Sequence, residues 1–392
     1  MIRFLTAGES HGPQLTAILE GLPAGLPLTT EPINHNLARR QKGYGSGGRM
    51  RIEKDQVTIT SGVVRGLTTG GPIAFQLMNR DWANWEGKTV DPITRPRPGH
   101  ADLTGGLKYH YADLRLALER ASARETVMRV AVGSCCSLLL HEVGAVVGGY
   151  VANLGGIEAE VPALPISELV ARSEENEMRC PDPIAAAEMR ELVKRVRKAQ
   201  DTVGGIVQVV AEGVPAGLGS YIQWDRRLEA RLAYAVMSIQ AMKGVEIGPA
   251  FDNALRRGTE VHDEIFRAAD GHVVRRSNNA GGFEGGITTG QPLIVRAAMK
   301  PISTILAGRR SVNLATGEEE MTVYERSDFT AVHRAVVVVE AMVAITLAAA
   351  LLETVGGDTL DQVKERTEKL RADQARWLHE GVQAAPYRWQ IP

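Results

Sequence analysis

The sequence predicts an α+β fold of two related halves, with apolar helices packed between antiparallel sheets. The first of three observations behind this is an internal repeat. Glu20-Gly21-Leu22-Pro23-Ala24-Gly25-Leu26 recurs as Glu212-Gly213-Val214-Pro215-Ala216-Gly217-Leu218. Thr68-Thr69-Gly70-Gly71-Pro72-Ile73 recurs as Thr288-Thr289-Gly290-Gln291-Pro292-Leu293, and Glu119-Arg120-Ala121-Ser122 echoes Glu325-Arg326-Ser327-Asp328. The echoes keep their order, which gives halves of about 1–150 and 204–355. The second observation is a set of strand signals at Val57–Thr60, Ile73–Leu77, Gly205–Val210 and Leu293–Arg296. Gly/Pro turns between them suit antiparallel hairpins better than βαβ units. The third is that Ser122–Val143 and Ala335–Thr354 are apolar nearly all round. Such a helix must be covered on more than one side, and a place between two sheets achieves that.

Further helices are predicted at Ile33–Gln41, Ala185–Gln200 and Arg226–Lys243. The stretch 151–203 has no echo in the other half and reads as a helical insertion. A charged, helix-compatible tail follows from Asp358 to Arg376, and Ala384–Pro392 reads as a loose end. The apolar run Ala335–Leu352 is nearly long enough to cross a bilayer. Glu340 within it would be expensive in lipid, and there is no basic flank, so a buried core helix is expected and no membrane partner.

Composition narrows the functional classes. The chain has 392 residues, a formal net charge of -1, 44% hydrophobic and 23% charged residues. That is ordinary globular composition, and a near-neutral total argues against a general nucleic-acid binder. Forty-one glycines exceed the usual ~7% share, so many backbone positions turn tightly or approach a ligand. Three cysteines, two of them adjacent at Cys135 and Cys136, form no disulfide framework, which points to a reduced, cytosolic setting. No Cys/His spacing suggests a metal site.

Candidate chemistry is concentrated in short motifs. In Gly8-Glu9-Ser10-His11-Gly12, glycines allow close ligand approach, Ser10 can donate to an anion, and His11 can exchange a proton near neutral pH; a solvated polar turn is the alternative. Arg39 and Arg40 lead into the glycine loop Gly43-Tyr44-Gly45-Ser46-Gly47-Gly48, followed by Arg49 and Arg51. Arg suits bidentate capture of carboxylate and phosphate, although the loop lacks the P-loop order. Two prolines stiffen Arg95-Pro96-Arg97-Pro98-Gly99-His100-Ala101-Asp102 and fix Arg97 and His100. Ser122 and Glu125 form a capping-box pattern, which leaves Arg120 and Arg124 at a helix N-terminus suited to an anion. The second half supplies Gln240-Ala241-Met242-Lys243-Gly244, Asn278–Gly286, Lys300-Pro301-Ile302-Ser303-Thr304 and Arg326-Ser327-Asp328. No G-x-G-x-x-G follows a strand, so a dinucleotide fold is not indicated.

In this order, GESHG, RPGHAD, RASARET, AMKGVEIG, NNAGGFEGG, KPIST and ERSD resemble the chorismate synthase family, over about Met1 to Leu360. The resemblance implies a β-α-β sandwich with internal pseudo-two-fold symmetry, assembled as a homotetramer. It implies a lyase that eliminates phosphate and a C6 proton from 5-enolpyruvylshikimate 3-phosphate. Reduced FMN is required without net redox change, and either NADPH or an external donor keeps it reduced. By motif, His11, His100 and Asp328 are the implied catalytic residues, and Ser10, Arg40, Arg49 and Arg124 the substrate contacts. The implied FMN site comprises Arg120, Ala121, Ser122, Gln240, Ala241, Gly285, Lys300, Pro301, Ile302, Ser303, Thr304 and Arg326. The chain departs from the family where Ser46 replaces the usual Arg of a YGRG loop.

The implied chemistry is physically reasonable. A substrate with two carboxylates and a phosphate needs several Arg to hold it and offset desolvation. Two rival readings remain at this level. An ordinary flavin oxidoreductase would consume reductant in proportion to product, and a non-catalytic anion- or RNA-binding protein would bind without flavin.

Overall fold

The computed structural model describes residues 1–45, 54–269, 271–322 and 328–380. In chain order the first half holds β1 (Arg3–Ala7), β2 (Gln14–Glu20), helix α1 (Thr30–Gln41), β3 (Thr58–Ser61), a short hairpin of β4 (Val63–Val64) and β5 (Leu67–Thr68), and β6 (Ile73–Met78). Helices α2 (Asp102–Tyr109), α3 (Arg115–Ala121) and α4 (Thr126–Glu142) follow. Next come β7 (Val146–Leu154), β8 (Ile157–Glu158), α5 (Ile166–Glu174), α6 (Pro183–Lys198), β9 (Gly205–Glu212), α7 (Leu228–Met237) and β10 (Met242–Ile247). Two single-turn helices, α8 (Ala250–Asn253) and α9 (Gly258–Val261), precede the hairpins β11–β12 (Ile265–Arg267, Val273–Arg275) and β13–β14 (Phe283–Glu284, Ile287–Thr288). The chain then runs through β15 (Leu293–Met299), the hairpin β16–β17 (Arg310–Val312, Glu319–Met321), α10 (Val332–Val355) and α11 (Leu360–Glu380).

Two antiparallel sheets carry the fold, ordered β1-β2-β6-β3 and β10-β15-β9-β7-β8. Period-2 alternation decides their faces. Leu15, Ala17 and Leu19 of β2 and Ile73, Phe75 and Leu77 of β6 turn inward and are buried. Val207, Val209 and Ala211 of β9 and Leu293, Val295 and Ala297 of β15 do the same from the second sheet. Helix α4 packs on β2, helix α10 on β7 and β9, and the two helices pack on each other. This explains why both are apolar all round. Where they cross, a Cβ on Gly133 would stand 2.4 Å from Ala341 Cβ, so only glycine allows the approach. The outer face of the second sheet is covered by α5 through Tyr150, Ala152, Ile166 and Leu169.

The run that resembles a membrane span lies inside α10, and its most apolar window is 94% buried in the protein. Glu340 accepts both Nη groups of Arg39, at 2.8 and 3.1 Å, which meets the cost of a buried carboxylate. Thr68 and Thr288 are bonded alike. Each hydroxyl donates to a proline carbonyl, Pro23 at 2.6 Å and Pro215 at 2.7 Å. Each also accepts a leucine N–H, Leu26 and Leu218, at 2.9 Å.

Several sequence expectations need correction. The predicted helix Arg226–Lys243 stops at Met237, and Met242 begins β10. The helix is capped at Ser238, and Ala241, with a φ of +67° that no helix accommodates, bars its continuation to Lys243. The predicted helix from Ser122 opens with a 3-10 turn, Ala123–Glu125, before α4. Ser122 caps that turn through Arg124 N at 3.3 Å, whereas the Glu125 carboxylate takes Thr6 and Arg129. No strand is predicted at Val146–Leu154; β7 begins inside the sequence-predicted first half, crosses its end near residue 150 and pairs with β9 in the second sheet.

Candidate active site

Between β1 and β2 the chain reverses at Gly8, whose φ is +109° and where a Cβ would meet Gln14 O at 2.5 Å. The turn sets Ser10 and His11 against α3. The Glu119 carboxylate accepts His11 N and lies opposite His11 Nδ1, each at 2.7 Å, and the Glu119 carbonyl accepts Ser10 N at 3.2 Å. Burial opposes ionisation of Glu119, but the hydrogen bonds and charge of His11 outweigh it and hold the carboxyl below its usual range. With Nδ1–H directed at Glu119, proton exchange with a ligand falls to Nε2. Trp85 packs on the His11 ring with centroids 4.4 Å apart, and its indole N–H donates to Asp81 at 3.2 Å.

A second His–carboxylate pair sits in the proline-stiffened segment. His100 Nδ1 is 2.5 Å from Asp102 Oδ1, while Arg97 Nε donates to Asp102 Oδ2 at 2.8 Å. Asp102 is fully buried. Burial alone would raise its pKa, and hydrogen bonds from His100 and Arg97 drive it well below the carboxylate range instead. The same segment grips the Lys300–Thr304 turn of the other half. Arg97 Nη1 donates to Thr304 Oγ1 at 3.0 Å, Lys300 Nζ to Gly99 O at 2.9 Å, and Ser303 Oγ to Gly99 O at 2.8 Å. Burial, then the neighbouring Lys243, lowers the Lys300 ammonium below its ordinary value.

Two arginines are locked before any ligand arrives. Arg124 donates through Nη1 to Asp55 Oδ1 at 2.7 Å and through Nε to Asn79 Oδ1 at 2.9 Å. Arg40 donates to Thr126 Oγ1 and to Ala123 O, each at 3.0 Å, with Nη1 3.6 Å from Asp55 Oδ2. Burial pulls the Arg40 guanidinium down to about 10 despite the opposing Asp55 charge, so it stays charged at neutral pH. One fully buried carboxylate thus serves two guanidiniums.

These groups face one cavity of about 1150 Å³. It exceeds the roughly 300–1,000 Å³ of an ordinary small-molecule pocket. Seven Lys and Arg line it against two Asp, with Asp55 and Asp102 paired to Arg40, Arg124 and Arg97 behind the wall, which leaves the lining predominantly basic and suited to an anion. Ser10, His11, Arg40, His100, Ala121, Ser122, Arg124, Gln240, Ala241, Lys300, Ile302, Ser303, Thr304 and Asp328 all line it, although they come from both halves. Asp328 pairs there with Arg334. Pro301 sits within the lining turn without lining the cavity itself. Arg120 points elsewhere, donating to Thr6 O at 2.9 Å. Gly285 turns the β13–β14 hairpin, away from the cavity lining. Ser46, Arg49 and Arg326 lie outside the described residues. Sequence reasoning missed Glu119, Asp55, Asn79 and Trp85 as site residues. Glu119 stood in a quoted motif, but its bond to His11 spans 108 residues, and no local pattern announces that.

Comparison with known proteins identifies the family. The chorismate synthase family model matches residues 2–352. The chain is 53% identical over 382 residues to chorismate synthase from Enterococcus faecalis, covering 94% of this chain and 98% of that protein. It is 52% identical over 382 residues to the Geobacillus kaustophilus chorismate synthase, with the same coverage of 94% and 98%. A crystal structure of chorismate synthase superposes with a TM-score of 0.78 at 44% identity, covering 97% of this chain and 99% of that one. With the family model matching residues 2–352 and relatives about half identical over nearly the whole length, the chain belongs to the chorismate synthase family.

Proposed function

We propose that this chain is a carbon–oxygen lyase that eliminates phosphate from 5-enolpyruvylshikimate 3-phosphate to give chorismate, in the shikimate route to aromatic amino acids. The single observation that carries the reading is the cavity. It is large enough for a trianionic substrate beside a second ligand, and two His–carboxylate pairs and immobilised arginines face it. Arg40 and Arg124 bind the substrate anions with Ser10 beside them, and Arg49, outside the described residues, is assigned to the same role by its motif. Their preorganisation means that little ordering is left when the substrate binds. His11 holds or moves a proton at Nε2 near the leaving phosphate, and His100 does so at the other end. Trp85 keeps water from the His11 ring.

The residues present fit reduced FMN. Gln240 Oε1 is buried in the cavity wall without a hydrogen-bond partner among the described residues, an acceptor waiting for a ligand N–H. Lys300, Thr304 and the Ala121–Ser122 turn add donors and Ser303 Oγ an acceptor for a phosphate and a ribityl chain, and Arg326 and Asp328 belong to the same proposed site. When bound, reduced FMN supplies a transient electron that assists phosphate departure and is recovered as the hydrogen leaves.

The finer architecture follows the same reading. The matching bonds of Thr68 and Thr288 support a pseudo-two-fold relation between the halves. Among the described residues, Leu5, Ile18 and Met78 stand exposed on one face of the first sheet, 68%, 45% and 62% respectively, an apolar patch that supports self-association, which we take to be the homotetramer. Light scattering that finds a monomer at micromolar concentration contradicts the tetramer. Three buried free cysteines suit a reducing cytosol. The function is tested by anaerobic assay with reduced FMN and the substrate, following phosphate and chorismate together. Equal release of the two is expected, and no phosphate above a no-protein control refutes the reading.

A further inference from the structure

The loop that presents His11 and the guanidinium of Arg124 come from different elements, yet one side chain joins them. Asn79 follows β6 directly, is 4% exposed and donates its backbone N–H to Pro13 O at 3.0 Å. Its amide nitrogen reaches the carbonyls of Gly12, Glu9 and Ser10 at 2.8, 3.2 and 3.4 Å. Its amide oxygen accepts Arg124 Nε at 2.9 Å. Only a carboxamide offers donors on one side and an acceptor on the other in this span. An aspartate could keep Arg124 but would set an oxygen against three carbonyl oxygens. A leucine would leave both sides unpaired, at the cost of buried unsatisfied groups.

We propose that Asn79 is a positioning residue of the elimination reaction, a brace that holds the His11 loop in register with Arg124 so that proton transfer and anion binding act on one substrate pose. The inference rests on the functional reading above. Arg124 keeps a second anchor in Asp55, at 2.7 Å, and the loop keeps Ser10 and His11 on Glu119, so loss of the brace shifts the register between them by a fraction of an ångström rather than unseating either. The consequence falls on kcat rather than on substrate KM, because a sub-ångström misplacement of a reacting group costs turnover more than affinity.

The test is a double-mutant cycle of Asn79→Ala with His11→Ala, with kcat and KM measured by anaerobic phosphate release. Asn79→Ala is expected to lower kcat on the order of 10–100-fold, with KM within about threefold. With Ala already at position 11, it is expected to lower kcat less than about threefold, since the brace then has no histidine to place. Asn79→Asp, which has the same shape and keeps the Arg124 acceptor, is expected to show the same kcat loss, and it serves where the Ala variant does not fold. Equal losses in both backgrounds, a loss confined to KM, or full kcat in Asn79→Asp overturns the inference. Wild-type turnover is the reference. Its absence overturns the functional reading and the inference with it, whereas an additive cycle with wild-type turnover intact overturns the inference alone.

Discussion

Glu119→Gln separates orientation of His11 from mere burial. The native carboxylate uses one oxygen for His11 N and the other for Nδ1, both at 2.7 Å. Glutamine keeps one acceptor oxygen and replaces the other with an NH₂ donor, so either one of the two contacts fails or the imidazole changes tautomer. A hydrogen bond to a charged group is worth about 1.5–3 kcal/mol, which is on the order of 10–100-fold in rate if it is felt in the transition state. Should the NH₂ face Nδ1, the imidazole must carry its proton on Nε2 instead. That wrong tautomer costs on the order of 10⁴ in the Ser-His-Asp setting. The expected fall in kcat is therefore between roughly 10- and 10⁴-fold. Gln has the shape of Glu, so the fold is kept, and part of the stability goes with the depressed carboxylate; kcat, not the melting temperature, is therefore the readout. The assay is phosphate release under anaerobic conditions at saturating substrate and reduced FMN. A Glu119→Gln enzyme within threefold of wild-type kcat would show that the carboxylate neither orients nor tunes His11.

Two further outcomes follow from buried charge. Asp102→Asn leaves Arg97 and His100 without their shared carboxylate and is expected to cost about 3–5 kcal/mol, read as a lower urea midpoint. The folded-state pKa of Asp102 is depressed, so its stabilisation is present above the unfolded carboxylate value of about 4 and fades as pH falls below it. The gap between wild type and the variant should accordingly narrow below about pH 4, and a constant gap would count against the linkage. Glu340→Ala strands Arg39 in the interior and is expected to cost a similar ~3–5 kcal/mol, again by urea midpoint; a loss under about 1 kcal/mol would mean that Glu174 alone satisfies Arg39.

The parts of the fold legible in the sequence were those with short-range causes. Strands at Ile73 and Leu293 alternate cleanly, and α10 announced itself through an unbroken apolar run. Helix α7 ends short of the predicted Lys243, and Ala241, whose positive φ bars a helix there, is a residue type that gives no warning of it. Strand β7 was missed because its residues, buried on both faces, do not alternate. In the site, motifs rich in Gly, Pro, His and Arg marked the cavity wall well. The partners behind that wall were silent, because Asp55, Asn79 and Glu119 act across 69, 45 and 108 residues respectively. Asp81, which holds Trp85, had no motif at all. Such contacts are fixed by tertiary packing, which no local spacing encodes.

The most direct test of the central claim is stoichiometric. The chain is mixed anaerobically with reduced FMN in substoichiometric amount and excess 5-enolpyruvylshikimate 3-phosphate, and phosphate, chorismate and the flavin spectrum are followed together. A lyase that borrows and returns an electron predicts many equivalents of phosphate and chorismate per flavin, with the flavin still reduced at the end. Product limited to one equivalent per flavin, with the flavin oxidised in step, would contradict the account and mark the chain as an ordinary flavin oxidoreductase.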